Sequence, residues 1–250
     1  MTERRITARK NPALQQVRKL LSSRKERETQ GLFVADGIKL LDEAVQHSAG
    51  LTMVILSDGV EAAVPDGVDV IRVPEEVMTS VSPMETPQGA VFVCRLPETH
   101  TWTPEPGMLL LDGIQDPGNL GTILRTADAF RVPVALLEGC ADPYNHKTVR
   151  ASMGAVFRST PIRTTWEEAK TACKEKGIPI AVTALSDAAQ DIRNAVPGKM
   201  AVVIGSEGHG VRPEILAQAD AQLIIPMNPA CESLNAGIAA AIVMWQMEKM

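Results

Sequence analysis

Aromatic residues are scarce in this 250-residue chain: 3%, made up of four Phe, three Trp and one Tyr. Its core must therefore be built mainly from Ala, Val, Ile, Leu and Met, and a hydrophobic content of 45% supplies enough of them. Long apolar runs are also missing, which excludes a membrane-spanning helix. The opening M-T-E-R-R-I-T lacks the apolar segment of a signal peptide, so a cytoplasmic protein with no membrane partner is expected. Only four cysteines occur, Cys94, Cys140, Cys173 and Cys231, with no C-x-x-C pair. That scatter predicts buried thiols, with neither disulfides nor a zinc site. His47, His100, His146 and His209 share no ligand spacing, so no metal is expected. The chain has no G-K-[ST], no H-E-x-x-H and no G-x-S-x-G, which leaves P-loop, zincin and α/β-hydrolase chemistry without support. A dinucleotide fingerprint fails as well. Gly205, Gly208 and Gly210 give G-x-x-G-x-G, in the wrong order and too late in the chain.

Net charge is −5, which taken alone disfavours a nucleic-acid partner. Its distribution points the other way. Residues 1–30 hold nine Lys and Arg against three acids, a local +6, so the remainder carries −11. A basic arm can supply phosphate contacts however acidic the rest is, although a solvated helix face would have the same composition.

Asn11-Pro12 is a helix start, with Asn as cap and Pro at the first helical position. Leu14, Val17, Leu20 and Leu21 then form an apolar face, with Arg18, Lys19, Arg24, Lys25 and Arg27 largely off it. Short strands are predicted over residues 31–35, 51–56, 68–73 and 89–96, with helices after Gly37 and over 74–81. Residues 1–98 thus make a small α/β domain. Residues 99–106, rich in proline, read as a linker. From residue 107 to 250 strands and helices alternate, which predicts an α/β domain with a mostly parallel sheet covered on both faces. Its helices are expected over 119–130, 146–157, 166–176 and 213–219.

Three loops of this second part carry the chemistry. The first is D-G-I-Q-D-P-G-N-L-G-T-I-L-R-T-A-D-A-F, residues 112–130, with Asn119 expected as cap or first residue of its helix. Arg125 lies six residues on, about 120° around the helix axis, where a long side chain can still reach a ligand at the helix start. A surface ion pair with Asp128 accounts for it equally well. The second loop, I-G-S-E-G-H-G, closes a buried strand with glycines around one acid, Glu207. The third, I-P-M-N-P-A-C-E-S-L-N-A, leads from a strand into a helix with Ser233 as expected N-cap and Asn235 beside it. Loops of this kind at strand ends of one parallel sheet make a ligand crevice. They are also what two ordinary strand–helix joints look like.

In this order, the three loops resemble the three motifs of the SpoU (TrmH-like) RNA 2′-O-ribose methyltransferases, over essentially all of residues 107–250. The stretch D-P-Y-N-H-K-T-V-R-A-S-M-G-A-V, residues 142–156, is similar to another signature of that family. The N-terminal F-V-A-D-G-I-K-L-L and T-P-Q-G are similar to the ribosomal-protein-like RNA-binding domain that often precedes the catalytic one, with Asp36 where Glu is more usual. The resemblance implies a SPOUT fold whose C-terminal segment forms a deep trefoil knot, a homodimer, and S-adenosylmethionine as methyl donor. It places Gly205, Ile225 and Leu234 at the cofactor. It makes Asn119, Arg125, Glu207, Ser233 and Asn235 the catalytic set, acting without metal on a ribose 2′-hydroxyl of ribosomal or transfer RNA. A guanidinium stays protonated, so Arg125 would grip a phosphate and stabilise the developing alkoxide, while the proton goes to that phosphate or to Glu207. Ala236-Gly237 stand where members commonly continue with Val-Ser. An RNA-binding protein of the same fold that does not methylate is the alternative.

Overall fold

The computed structural model of the chain describes residues 3–98, 102–228 and 230–248. It divides into two compact units. The first comprises the stretch up to Glu98 together with Tyr144–Thr160, and the second the remainder.

In the first unit, β1 (Glu3–Arg5) leads to α1 (Pro12–Ser22), whose cap Asn11 accepts from the Ala13 N–H. Ser23 ends α1 and caps α2 (Arg24–Gln30), which stops at Gly31 in the left-handed region, φ 65°. Next come β2 (Leu32–Asp36), α3 (Ile38–Gln46), β3 (Leu51–Ser57), β4 (Asp69–Val73), α4 (Glu75–Val81) and β5 (Ala90–Arg95). The sheet runs β1-β4-β3-β5-β2, parallel through its first three strands and antiparallel at β5 and β2. Side chains alternate across it. Val34, Ile55, Ile71 and Val91 face Leu14, Val17 and Leu20 of α1.

The chain then enters the second unit with β6 (Leu109–Leu111), α5 (Pro117–Phe130) and β7 (Val134–Leu136), and returns to the first with α6 (His146–Ala151) and α7 (Ala155–Arg158). The single helix expected over 146–157 is broken, because Met153 (φ 49°) and Gly154 (φ 87°) turn left-handed between the two pieces. A Cβ at Gly154 would also lie 2.9 Å from Glu43 Oε2, so close packing on α3 adds to the demand for glycine. Tyr144 and Phe157 meet Phe33 at ring distances of 5.0 and 6.3 Å, and Phe157 meets Phe92 at 6.3 Å. Three of the four phenylalanines and the only tyrosine thus lie in one cluster.

The second unit continues with β8 (Ile162–Arg163), α8 (Trp166–Glu175), β9 (Ile180–Thr183), β10 (Gln190–Asp191), β11 (Ala201–Ile204), α9 (Pro213–Leu216), β12 (Ala221–Ile224) and α10 (Ala236–Met247). Among the described residues its sheet has seven strands in the order β10-β12-β9-β11-β6-β7-β8, and every pairing is parallel. Strand β11 sits between β6 and β9, so the order reverses beside β6. Such a reversal opens a crevice at the C-terminal strand ends. No helix of the described residues is long and apolar enough to cross a membrane.

Candidate active site

The loops after β9, β11 and β12 enclose a cavity of about 550 Å³ in the second unit. Its floor is apolar, from Leu216, Leu223, Ile225, Leu234 and Ala236, and its lip carries Ser206, Glu207, Glu232 and Ser233. Gly205, Ile225 and Leu234, the three residues expected at a cofactor, all line it. Thr183, Ala184, Leu185 and Ser186 line the cavity as well, and nothing in T-A-L-S marks them out.

Gly205 has a sharper requirement than the sequence suggested. A Cβ there would lie 2.1 Å from the carbonyl carbon of Gly210 and from the Val211 nitrogen. What crowds it is the loop's own backbone folding back, so any side chain would force the loop open. Ser206 and Gly210 exchange both backbone hydrogen bonds at 3.0 Å, closing the hairpin that presents Glu207.

Helix α5 begins two residues earlier than expected. Asp116 is its cap, accepting from the Asn119 N–H at 2.7 Å, and Asn119 occupies the first turn. This frees the Asn119 side chain. Its Nδ2 donates to Glu207 Oε1 at 2.7 Å, and its Oδ1 accepts from Asn235 Nδ2 at 2.9 Å. Asn235, not Ser233, caps α10: its Oδ1 takes the N–H groups of Gly237 (2.9 Å) and Ile238 (3.3 Å). The helix therefore starts two residues later than expected, and Ser233 is left at the cavity lip. Glu207, Asn119 and Asn235, one from each motif, form a single hydrogen-bonded chain that orients both amides.

Arg125 stands apart from this chain. It is exposed on α5, outside the cavity lining, and forms no ion pair with Asp128 or any other described residue. A Cβ on Gly237 would meet the cap Asn235 Oδ1 at 3.1 Å and Thr122 Cγ2 at an ordinary contact distance of 3.4 Å, so the first turn of α10 packs on α5, and nothing in the structure requires the departure at Ala236-Gly237.

One ion-pair group supports the site from below. Asp112, 1% exposed, accepts from the Arg212 backbone N–H (2.9 Å) and Nε (2.7 Å), and Arg212 Nη2 also reaches Glu138 at 2.9 Å. Burial opposes ionisation of Glu138, but backbone N–H groups and Arg212 outweigh it and hold its carboxyl below the usual range. Nothing in the sequence marks this group, since Asp112 and Arg212 are a hundred residues apart. Burial pushes the thiols of Cys140 and Cys173 up to about 11 and that of Cys94 to about 12. Cys231, expected to be buried, is exposed on the loop before α10. Among the described residues no cluster of His, Cys, Asp and Glu is arranged to hold a metal.

The basic N-terminal stretch is less open than its composition suggested. Arg4 pairs with Asp69 (2.7 Å), Arg5 with Asp58 (2.6 Å) and Arg24 with Glu28 (2.7 Å). Arg27, expected off the apolar face, is buried and donates to the Leu20 carbonyl at 2.6 Å. Arg9, Lys10, Lys19 and Lys25 remain exposed without an ion pair among the described residues.

The profile of the SpoU rRNA Methylase family matches residues 106–245, and that of the MRM3-like substrate binding domain matches residues 11–91. The chain is 32% identical to the 23S rRNA (guanosine(2553)-2′-O)-methyltransferase RlmP of Bacillus subtilis, over 98% of this chain and 99% of that protein. The crystal structure of an AdoMet-bound rRNA methyltransferase from Sinorhizobium meliloti superposes with a TM-score of 0.86 at 27% identity, covering 99% of this chain and 98% of that one. An RNA 2′-O ribose methyltransferase structure does so with a TM-score of 0.82 at 28% identity, covering 98% of each.

Proposed function

The chain belongs to the SpoU rRNA Methylase family, whose members methylate RNA ribose with S-adenosylmethionine as donor, and from that premise we propose that its own substrate is a 2′-hydroxyl of large-subunit ribosomal RNA. Full-length identity of 32% to a Bacillus subtilis enzyme named for a 23S rRNA guanosine supports the choice of ribosomal over transfer RNA. The single observation that carries the chemistry is the cavity of three loops with the Glu207–Asn119–Asn235 chain attached at its lip.

The cavity fits the donor. About 550 Å³ lies within the usual small-molecule range of about 300–1,000 Å³, and an apolar floor with a polar lip suits a nucleoside carrying a charged tail. Gly205, Ile225 and Leu234 would hold it, and when bound it supplies a methyl group on a sulfonium, an electrophile that needs no metal. The residues of the chain then have three tasks. Asn119 fixes the Glu207 carboxylate in one orientation, and Asn235 fixes Asn119 in turn, so positioning supplies much of the rate. Arg125 grips an RNA phosphate and stabilises negative charge developing on the ribose oxygen. Glu207, or that same phosphate, takes the 2′-hydroxyl proton. The exposed cations Arg9, Lys10, Lys19 and Lys25 make phosphate contacts from an RNA-binding domain of residues 1–98, which the first unit contains together with Tyr144–Thr160, ahead of a 99–106 linker and a methyltransferase domain of residues 107–250.

The reading includes a cytoplasmic homodimer with the trefoil knot of the SPOUT fold. In support of the dimer, Ile238, Ile242 and Trp245 make an apolar stripe along α10, with Ile238 53% and Trp245 57% exposed. Phe130 of α5 extends the stripe, its ring 6.0 Å from that of Trp245. A second copy of the chain covers such a stripe symmetrically.

Methyl transfer tests the assignment. Purified enzyme, labelled S-adenosylmethionine and ribosomal RNA from a strain lacking the gene should give one 2′-O-methylated large-subunit nucleotide. Label on a base, or label only in transfer RNA, would refute it.

A further inference from the structure

We propose that Asp112 is the positioning residue of the cofactor loop, clamping both ends of residues 205–211 so that the cavity is preformed before any ligand arrives. The proposal rests on the cavity being the donor site. Asp112 is the first residue after β6, and its backbone N–H donates to the Ile204 carbonyl at 2.8 Å, just before the loop begins. Its carboxylate accepts from the Arg212 N–H at 2.9 Å, just after the loop ends, and from Arg212 Nε at 2.7 Å. One buried residue thus holds both feet of a seven-residue loop. The tip is held separately, through Asn119 and Glu207.

The loop needs such a clamp because its interior contains little that is stiff. Its residues are G-S-E-G-H-G-V, and glycine has more conformational freedom to lose than any other residue. The close approach of Gly205 to the backbone of Gly210 and Val211 exists only while the feet stay together. Asp112 does not line the cavity itself, and it acts there through the feet of the loop, Ile204 and Arg212. Its effect therefore falls on binding and not on the chemical step. A loop ordered in advance binds more tightly because less entropy is lost on association.

The test uses the full chain with Asp112→Asn and Arg212→Gln, and Ile180→Ala as a control. Ile180 is buried in the same sheet and lines no part of the cavity, so its variant loses stability while every hydrogen bond at the feet of the loop is kept. Below the melting temperature of every variant, Asp112→Asn should weaken S-adenosylhomocysteine binding about tenfold or more, which is about 1.4 kcal/mol or more. The KM for S-adenosylmethionine should rise by the same factor while kcat at saturation stays within about threefold. Arg212→Gln should do the same to a smaller degree, since its backbone N–H still reaches Asp112. Hydrogen exchange at the amides of Ser206, Gly210 and Arg212 in the ligand-free protein should quicken in both, and not in Ile180→Ala. Unchanged exchange and binding in Asp112→Asn would overturn the proposal, as would a fall in kcat at unchanged affinity or an equal loss of binding in Ile180→Ala. If the wild-type protein binds no S-adenosylhomocysteine, the donor assignment fails instead, and the exchange arm still decides whether Asp112 holds the loop.

Discussion

The two units meet the same shortage of aromatic side chains in different ways. The first collects Phe33, Phe92, Phe157 and Tyr144 in one cluster and pairs Arg4, Arg5 and Arg24 with carboxylates. The second builds a parallel sheet of Val, Ile, Leu and Ala, ends three strands in open loops, and leaves Ile238 and Trp245 exposed on its last helix. The first unit joins distant stretches of chain through its aromatic cluster. The second joins them through polar contacts such as Asp112–Arg212 and Asn119–Glu207, and invests its special geometry in backbone, through glycines and caps at strand ends. The same kind of substitution should therefore fail differently in each: loss of a side chain harms the first, and gain of one harms the second.

The largest effect expected is at Gly205. Gly205→Val places carbon where the backbone of Gly210 and Val211 already lies, so the loop must open. Calorimetry should find donor and product binding lost outright, with the first unit unaffected in hydrogen exchange. Retained binding would mean that the loop tolerates a different path.

Phe33→Ala is the converse. Removing a ring that is 2% exposed and contacts both Tyr144 and Phe157 should cost about 3–5 kcal/mol in the first unit. Chemical denaturation should then show an early transition, with S-adenosylhomocysteine affinity in the second unit kept. For the same reason, cutting the chain after residue 98 would strip Tyr144–Thr160 of the sheet they pack on. A fragment beginning at residue 107 should therefore bind a hydrophobic dye that the full chain does not.

A substitution outside the cavity lining comes next. Arg125→Ala should lower single-turnover methylation by about 10²–10³-fold with the protein folded and cofactor affinity unchanged. Arg125→Lys should recover only part, since a point charge does not reproduce the planar fork. Normal turnover in Arg125→Ala would remove it from the catalytic set.

The smallest effect is a pH dependence confined to the first unit. Burial first, then the charges of Lys147, Arg27 and Arg150, hold His146 below its ordinary value of 6.5. The fold therefore favours its neutral form. Stability from this group is present above 6.5 and is lost as pH falls through the lower folded value, because the unfolded chain gains the proton first. His146→Gln should flatten the fall of the melting temperature below pH 6.5. An unchanged slope would assign the dependence to other groups.

Much of this organisation was legible in the sequence because it is local. Asn11-Pro12 announced α1, apolar runs marked the longer strands, and the glycine and asparagine loops carried their spacing with them. What escaped notice depends on contacts between distant residues. S-L-N offers two good caps, and only the reach of Asn235 to both Gly237 and Asn119 selects it over Ser233. The break at Met153-Gly154 is set against Glu43, about 110 residues earlier, and the return of Tyr144–Thr160 to the first unit likewise depends on distant contacts. The edge strands Glu3–Arg5 and Gln190–Asp191 are too short to show a period. Of the predicted site, Glu207 and Ser233 lie at the lip, Asn119 and Asn235 stand outside the lining but are tied to it through Glu207, and Arg125 stands outside it with no such tie.

Hydrogen exchange on the full chain with and without S-adenosylhomocysteine addresses the central claim most directly. If the three loops are the donor site, added protection should fall on residues 183–186, 204–211 and 225–236, and the amides of the first unit should be unchanged. Protection elsewhere at saturating ligand, with these three segments unaltered, would contradict it.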